Sequence, residues 1–572
     1  MKLRNSKARN ALSVAIAIGM MGTASYVYAA DAPTEVGKNQ PTAGQTMADL
    51  QQKGTPTAGV KVDADIQVSE AERPALNLPS ELKVQVNDFK ITGQDLVPES
   101  QLQAMIADKK GQLLTFGDLQ KIADQLTNYF KSKGYMVARA YLPAQKIANG
   151  VVEYSVVIGK FDGIKVQNHT SIHDSALQRE IAFLQKGDYI KKQEIERAVW
   201  LLSDLSGADA KMTISPGSAP GTSNLVIDLN PHSGKNGTLY VDNYGNRSTG
   251  YNEFGITYDL LNLAHEGDHL AMNFVTTGQE LNNGSMNYTI PVWRDGLTMN
   301  AGFSMLNYSL GDTYKSLDAN GTARVYHVGW DYAIQRSQRH NLYAGLRYDY
   351  SKLQDKWDAF GLTYGDKHSH AAILSLYGDE QDRKGATSWR LDYKLGTLGF
   401  DNSTTYTYFG AANTQGPFSK INANIIRRQN LNNRLYLLLS ARGQYSSKNL
   451  DSSERMSLGG ISGVRAYPQG EASGDIGYFT RAELRWLLPL HQQDQTLQLA
   501  TYLDHGAVRI NKGGSTDTNY RKLQGTGIGL LWSRKDDWWV RADYAWRLGA
   551  QHPTSDTTFG NGHFWIQGGV YF

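Results

Sequence analysis

The sequence predicts a mainly β protein, in which a closed membrane barrel of about sixteen strands follows two small β-α-α-β-β domains and one short helix. Three observations predict this fold class. Side chains alternate between apolar and polar over residues 232–572, and an internal repeat occupies residues 81–231. No apolar run long enough for a membrane-spanning helix follows the N-terminal segment. The length of 572 residues accommodates all of these parts.

Composition excludes several classes of function. The 58 Lys and Arg residues nearly balance the 55 Asp and Glu residues, so the chain lacks the basic excess of a nucleic-acid-binding protein and no nucleic acid is expected as a partner. Because the chain has no cysteine, it forms no disulfide, cysteine zinc site, Fe–S cluster or thiol nucleophile. We expect no cofactor, no metal and no catalytic residue, and therefore no enzyme.

The N-terminus has the three parts of a secretory signal peptide. Basic residues are followed by the apolar run 11–21 and by Val27-Tyr28-Ala29, which suits the positions that a signal peptidase reads. The apolar run is too short to span a membrane. Residues 1–29 are therefore predicted to be a signal peptide, and the mature chain is exported. A chain without cysteine avoids disulfide chemistry in an oxidising compartment.

Residues 30–80 are polar and contain several prolines, with one indication of a helix. In Thr46-Met47-Ala48-Asp49-Leu50, Asp49 follows Thr46 by three residues, the spacing of a capping box. We predict a short helix from Thr46 to Lys53 within residues 30–54, and a flexible linker over residues 55–80. Disorder throughout the segment is the alternative.

Residues 81–231 contain two copies of one unit. Apolar residues at helical spacing, preceded by Thr115 and Asp118 as a capping box, predict a helix in the first copy, and the same stripe recurs 76 residues later. A shorter helix precedes each stripe, and two β-rich runs follow it. We predict two β-α-α-β-β domains, residues 81–158 and 159–231, whose sheets have exposed edge strands. The stripes are Leu119, Ile122, Ala123, Leu126 and Tyr129, and Ile195, Ala198, Val199, Leu202 and Leu205.

Residues 232–572 alternate in polarity in strand after strand. Val540, Ala542 and Tyr544, for example, alternate with Arg541 and Asp543. One face is apolar and aromatic and the other carries charges of both signs, as expected for strands between lipid and a wet lumen. At about 42 residues per hairpin, the segment holds about eight hairpins and about sixteen strands. A soluble β domain, the alternative, would have shorter strands with polar outward faces.

Two motifs resemble sites of known chemistry. His265-Glu266-Gly267-Asp268-His269 matches H-E-x-x-H, in which two histidines on one helical face bind zinc. Because the five residues contain a central glycine and lie between two alternating runs, we predict a hairpin turn and no zinc site. Gly525, Gly527 and Gly529 lie within a strand and no helix follows them, so we predict close approach of a neighbouring group and no phosphate binding.

A glycine-rich connection between two barrel strands carries the candidate functional residues. Residues 457–468 contain Val464-Arg465-Ala466-Tyr467. The alternation in the two following strands places Glu483 and Asp504 on the lumenal face. If the connection folds inward, the Arg465 guanidinium can reach a lumenal carboxylate and form a bidentate pair. A surface loop is the alternative.

These residues give the chain a family resemblance. Val464-Arg465-Ala466-Tyr467 resembles the VRG[FY] motif in the inward-folded sixth extracellular loop of two-partner secretion transporters (TpsB family, Omp85 superfamily), with Ala466 in place of the usual glycine. Tyr502-Leu503-Asp504-His505-Gly506 resembles the F-x-D-x-G strand motif of the family, and the resemblance implies that Asp504 pairs with Arg465. Glu483 is a second candidate partner, for which the only argument is that strand alternation places it on the lumenal face. The repeated domains resemble POTRA domains, and the helix with Thr46, Met47, Asp49 and Leu50 corresponds to the plug helix.

The resemblance implies a transporter in the outer membrane of a Gram-negative cell, with its POTRA domains in the periplasm. It would capture an unfolded exoprotein by strand addition to a POTRA edge and secrete it through the barrel lumen. The implied cargo is a large β-helical haemolysin, adhesin or contact-dependent inhibition toxin. The other implied partners are outer-membrane lipid and the barrel assembly machinery that inserts the barrel, and the transporter is expected to be a monomer.

Two other functions fit parts of the sequence. An Omp85-type factor that inserts other barrels shares the architecture, but two modules and a plug helix favour secretion. A passive porin has no need for the repeated modules of residues 81–231. The sequence contains no nucleotide-binding motif, which argues against an ATP-driven pump.

Overall fold

The computed structural model describes residues 40–53, 65–68, 83–232, 234–278, 280–490, 492, 494–514, 517–556 and 558–572. The predicted signal peptide, residues 1–29, lies outside the described residues. The chain forms two compact units, one made of the barrel with helix α1 (Ala43–Lys53) and the other made of the repeated domains within residues 62–232.

The two repeated domains share one topology, as predicted. In the first domain, β6 pairs in parallel with β3 and antiparallel with β5. In the second, β9 pairs in parallel with β7 and antiparallel with β8. Two helices lie between the parallel partner and the antiparallel pair in each domain. The elements are β1 Asp65–Val68, β2 Lys83–Gln85, β3 Asp88–Thr92, α2 Glu99–Ala104, β4 Leu113–Thr115, α3 Phe116–Ser132, β5 Ala138–Tyr141, β6 Val151–Ile158, β7 Lys160–Asn168, α4 Asp174–Glu180, α5 Lys192–Asp204, β8 Ala208–Pro216 and β9 Thr222–Pro231.

Each domain has its own hydrophobic core beneath its longer helix. The predicted capping box begins α3, since the Asp118 amide donates to the Thr115 hydroxyl and the Asp118 carboxylate accepts from the Thr115 amide. The stripe on α5 is buried at all five predicted positions. On α3 the last buried residue is Phe130, whereas Tyr129 is only partly buried. Burial of each large apolar side chain contributes about 1.5–3 kcal/mol.

One part of the predicted linker, residues 55–80, is a strand. Asp65–Val68 (β1) pairs in parallel with Lys211–Ile214 on β8, so the prediction of a flexible linker is wrong at these four residues. The physical reason is that an edge strand presents unpaired backbone donors and acceptors, which a passing segment satisfies. The rest of the linker lies outside the described residues.

Sixteen strands form a closed barrel in which every neighbouring pair is antiparallel, which confirms the predicted fold class. The first strand closes on the last, where Thr238–Asp242 pair with Gln567–Tyr571. The barrel strands are β10 Gly237–Asp242, β11 Glu253–Leu261, β12 His269–Thr276, β13 Leu281–Pro291, β14 Leu297–Ser309, β15 Ala319–Gln335, β16 His340–Trp357, β17 Leu362–Asp382, β18 Gly385–Phe400, β19 Gly416–Asn430, β20 Leu435–Ser446, β23 Ile476–Leu488, β24 Gln495–Arg509, β25 Tyr520–Arg534, β26 Trp538–Arg547 and β27 Gly562–Tyr571.

Three further elements lie in connections between barrel strands. Helix α6 (Ser403–Phe409) follows β18, and the two-residue strands β21 (Met456–Ser457) and β22 (Ser473–Gly474) pair within the connection from β20 to β23. These connections lie at the end of the barrel opposite to the one where the chain enters β10, because the strands alternate in direction. We call this the distal end. No helix among the described residues is long and apolar enough to cross a membrane.

Alternation assigns the two faces of the barrel wall. Leu503 and Ile528 are 59% and 56% exposed, whereas their chain neighbours Asp504 and Gly527 are buried. Apolar side chains therefore face outward, and polar or small side chains face the lumen.

The H-E-x-x-H motif forms a turn, as predicted. It connects β11 to β12 at the end opposite the distal end, and His265 and Gly267 have φ of 58° and 78°. His269 begins β12, where its Nε2 lies 2.8 Å from Oδ1 of Asp259. The two histidines thus share no helical face, and no group of three or more potential metal ligands occurs within the described part of the chain.

Candidate functional site

The connection from β20 to β23, residues 447–475, folds into the barrel lumen. Arg465 and Tyr467 near its tip are fully buried, with 0% exposure. The loop turns back on itself where the Val464 amide donates to the Leu458 carbonyl at 2.7 Å and Gly460 takes a φ of 93°. A left-handed backbone at this position favours glycine. We call this segment the inward loop.

The side chain of Arg465 reaches three carboxylates on the barrel wall. Its Nε lies 2.9 Å from Oδ2 of Asp504 and its Nη2 donates to Oδ1 of the same residue at 3.2 Å. Its Nη1 lies 2.9 Å from Oε2 of Glu483 and 3.0 Å from Oδ1 of Asp543. The Arg465 backbone amide also donates to Asp504 at 3.2 Å. The structure therefore places both predicted partners on Arg465, together with a third.

Three further arginines on the wall complete this cluster. Arg481 lies 2.7 Å from Asp504, Arg485 lies 2.6 Å from Glu483, and Arg541 lies 2.6 Å from Asp543. Four guanidinium groups thus face three carboxylates. Sequence reasoning did not assign Asp543 or these arginines to the site. Alternation put Asp543 and Arg541 on the lumenal face, but the meeting of β26 with the loop tip is a tertiary relationship.

The environment of Arg465 keeps its guanidinium charged. Burial opposes the charge, but the carboxylates of Asp504 and Glu483 outweigh burial and raise the pKa of Arg465 above its ordinary value. The guanidinium carbon lies 3.1 Å from the centroid of the Tyr502 ring, a cation–π arrangement. Arg481 donates to the Gly463 carbonyl at 2.6 Å, and Trp565 donates to the Arg465 carbonyl at 2.7 Å.

The barrel wall leaves room for the methyl group of Ala466. A side chain at Gly525 would put its Cβ 2.7 Å from Cβ of Ala466 and 3.4 Å from Val464. The prediction of close approach at this glycine is confirmed. The φ of Ala466 is not positive, so the alanine that replaces the usual glycine needs no left-handed backbone. The neighbouring Tyr467 hydroxyl donates to the Gln551 carbonyl at 2.9 Å.

Helix α1 lies inside the barrel and begins three residues earlier than predicted. Its first residue is Ala43, and the Thr42 hydroxyl accepts from the Gln45 amide at 3.4 Å. The predicted start at Thr46 is wrong, since the Thr46 hydroxyl instead donates to the Thr42 carbonyl at 3.0 Å within the helix. The Ala43 amide donates to Oδ1 of Asp355 on β16 at 2.7 Å, so a wall carboxylate stabilises the helix N-terminus.

One face of α1 packs against the wall of β13 to β16. Met47 is buried with Leu281, Leu306 and Tyr308, and its sulfur lies 3.7 Å from Nδ2 of Asn283. Leu50 packs at the edge of the same apolar cluster. The helix thus occupies the lumen through complementary apolar contacts.

The C-terminal half of α1 contacts the inward loop and strand β11. Asp49 is buried beside Ser457 and Gln469 of the inward loop, and burial raises its pKa from 3.8 to about 7. Lys53 forms an ion pair of 2.6 Å with Glu253 on β11, and both side chains are nearly buried. A cavity of about 260 Å³ lies beside this end of the helix.

Comparison with known proteins agrees with this architecture. Residues 221–531 match the family described as haemolysin secretion/activation protein ShlB/FhaC/HecB, and residues 84–159 match the ShlB-type POTRA domain. The chain is similar to the heme/hemopexin transporter protein HuxB of Haemophilus influenzae strain 86-028NP, with 26% identity over 79% of this chain and 82% of HuxB. It is also similar to the outer membrane transporter CdiB of Escherichia coli, with 24% identity over 74% of this chain and 72% of CdiB.

Solved structures share the fold. CdiB from Escherichia coli matches with a TM-score of 0.72 and 17% identity, over 93% of this chain and 99% of that one. CdiB from Acinetobacter baumannii matches with a TM-score of 0.63 and 18% identity, over 89% and 94% of the two chains. The family match covers more than half of the chain, and the protein therefore belongs to the ShlB/FhaC/HecB family of outer-membrane two-partner secretion transporters, with an Omp85-type barrel and POTRA domains.

Proposed function

We propose that the protein secretes a large unfolded exoprotein across the outer membrane through its barrel lumen. The main support for this proposal is the filling of the lumen. Two separate segments, helix α1 and the inward loop, occupy it through polar contacts and small apolar surfaces. Segments held in this way can leave without breaking the hydrogen-bonded wall. A porin needs no such removable filling.

The relatives indicate the general class of the cargo. The relatives include a heme/hemopexin transporter and outer membrane transporters named CdiB. We propose a cargo of β-helical fold, with a contact-dependent inhibition toxin or an adhesin favoured. No nucleotide-binding motif is present in the sequence, so net outward movement would come from folding of the cargo outside the cell, because a folded chain does not return through the lumen.

Capture in the periplasm is proposed to use strand addition, which supplies main-chain hydrogen bonds without demanding a particular sequence. In the first domain, β5 has no partner on its outer edge among the described residues. In the second domain, β1 already occupies the corresponding edge of β8. A cargo strand would therefore add directly at β5, whereas at β8 it must first displace Asp65–Val68.

The remaining assignments are also proposals. Residues 1–29 act as the signal peptide, residues 30–54 as the plug region, residues 81–158 and 159–231 as the POTRA domains, and residues 232–572 as the barrel. The barrel assembly machinery inserts the barrel, which works as a monomer without a catalytic role. Val464, Arg465, Ala466 and Tyr467 hold the inward loop, with Asp504 and Glu483 as lumenal partners.

Secretion of a co-expressed candidate cargo tests the function. We expect the cargo to reach the medium with the full chain and to stay in the periplasm when residues 83–232 are deleted, with barrel insertion checked in both cases. Unchanged export after this deletion would contradict capture by the POTRA domains. Loss of other outer-membrane barrels on depletion of the protein would favour the assembly factor instead.

A further inference from the structure

A cluster of cations lies on the outward face of the barrel at its distal end. Arg509 lies six residues after Leu503 on β24, and Lys522 lies six residues before Ile528 on β25. These even spacings place each cation on the same face as its lipid-facing neighbour. Both side chains are exposed and both share the face of those lipid-facing residues. Lys512 lies in the connection between the two strands, and its ammonium reaches toward β20.

The register brings these residues together. Arg509 is paired with Tyr520, and Lys522 is paired with Ala507, two residues from Arg509. Arg509 and Lys522 are thus diagonal neighbours, at a spacing of about 7–8 Å that long side chains bridge. The Lys512 ammonium lies 4.9 Å from the centroid of the Tyr445 ring on β20.

The described residues supply no ion pair to these three side chains. No carboxylate lies within 4.0 Å of their cationic nitrogens in the part of the chain that the structure describes. Arg509 donates to the Gly514 carbonyl at 3.0 Å, and Lys512 donates to the carbonyls of Ser446 and Ser447 at 2.6 and 2.8 Å. Carbonyl partners hold Arg509 and Lys512 in place without cancelling their positive charge.

The opposite wall of the barrel shows the contrasting arrangement. There, Lys352 forms ion pairs with both Asp366 and Asp401, and His368 contacts Asp401 at 2.6 Å. The Lys352 charge on that wall is therefore balanced by carboxylates.

Aromatic residues border the cluster. Tyr445, Tyr478 and Tyr520 are 58%, 44% and 52% exposed on the outward face. Tyrosines on the lipid-facing surface mark the level at which the hydrocarbon meets the lipid headgroups. Arg509, Lys512 and Lys522 therefore lie at headgroup level, on the side of the membrane that faces the exterior when the POTRA domains are in the periplasm.

We propose that Arg509, Lys512 and Lys522 form a binding site for the phosphate groups of an anionic glycolipid in the outer leaflet. Basic side chains at a membrane surface attract anionic headgroups, and arginine offers paired donors that match a phosphate. Tyr478 and Tyr520 lie at the level of these cations, where they would flank the bound headgroup.

Binding of purified lipid A to the full-length protein in detergent tests the site. The variant Arg509→Gln, Lys512→Gln, Lys522→Gln is compared with a control that removes the same charges from exposed turns at the other end, Arg339→Gln, Lys384→Gln, Lys535→Gln. We expect the first variant to bind bis-phosphorylated lipid A about tenfold more weakly or worse, and the control to bind like the parent protein.

The parent protein provides a second arm that does not depend on the folding of any variant. Removal of both phosphates from lipid A is expected to weaken its binding to the level of the first variant. Equal binding by the two triple variants, or unchanged binding of the dephosphorylated lipid, would overturn the proposal. Inorganic phosphate that displaces the lipid at equal concentration would identify a free-anion site and would also overturn it.

Discussion

The guanidinium of Arg465 and the carboxylate of Asp504 meet at two points, Nε to Oδ2 at 2.9 Å and Nη2 to Oδ1 at 3.2 Å. Both side chains are buried, and the pair joins the tip of the inward loop to strand β24. Removal of one partner of a buried ion pair typically costs about 3–5 kcal/mol, because the other charge is left without compensation. The pair therefore sets how firmly the inward loop is held in the lumen.

Substitution of this pair tests its part in secretion. We expect Arg465→Ala to reduce secretion strongly while the barrel still inserts, because barrel closure depends on strand pairing. Asp504→Ala should act in the same direction but less strongly, since Glu483 and Asp543 still contact Arg465. The double variant should lose less than the sum of the two losses. Strict additivity, with normal surface insertion, would mean that the residues act separately.

The contact between Gly525 and Ala466 predicts a pair of compensating substitutions. Gly525→Ala places two methyl carbons 2.7 Å apart, so the loop tip must shift at a cost of about 1–3 kcal/mol. We expect more protease cleavage of the inward loop and less secretion. Adding Ala466→Gly removes one of the two methyl groups and should restore most of the loss. Gly443→Ala is the control, because its Cβ would meet nothing closer than 3.6 Å. Failure of Ala466→Gly to rescue would disprove the steric explanation.

Asp49 predicts that docking of helix α1 depends on pH. The pKa of Asp49 is about 7 in the docked helix against an ordinary 3.8, so docking takes up a proton between these values. The equilibrium constant for docking is therefore largest at low pH. It falls by up to about tenfold per pH unit as the pH rises from 3.8 through about 7. Lys53, Arg442, Ser457 and Gln469 are the groups that face this carboxylate.

Planar-bilayer recordings at pH 5 and pH 8 measure this dependence. We expect more frequent opening at pH 8, and Asp49→Asn should open rarely at both values because it carries no charge. An Asp49→Asn variant that keeps the parent's pH response would assign the effect to another group.

Deletion of residues 43–53 should raise the ion conductance of the purified barrel, because the helix fills lumenal space beside β13 to β16. Lys53→Gln, which removes only the ion pair with Glu253, is the matched control and should raise it less. Identical conductance of the deletion variant and the parent protein would exclude a plug in this position.

The fold was predictable because its signals are local and repeated. Alternation marks every barrel strand, and the recurring stripe with its Thr115–Asp118 cap marks the two domains. The start of α1 was not predictable from its own sequence, because Asp355 supplies part of its cap. Asp355 lies more than three hundred positions away in the chain. Strand β1 has only four residues and forms because β8 offers an edge. Asp543 belongs to the site because β26 contacts the loop tip. No local sequence pattern predicts that tertiary contact.

The proposed function requires α1 and the inward loop to move during transport, and a cross-link between them tests this requirement. The Thr42 and Ser452 hydroxyl oxygens lie 3.0 Å apart, and the parent chain has no cysteine. A Thr42→Cys, Ser452→Cys variant can therefore form a single disulfide that ties the helix to the loop, with each single cysteine variant as control. We predict that the oxidised protein secretes no cargo and that reduction restores secretion. Secretion at the parent rate by the fully cross-linked protein would show that transport does not require this movement.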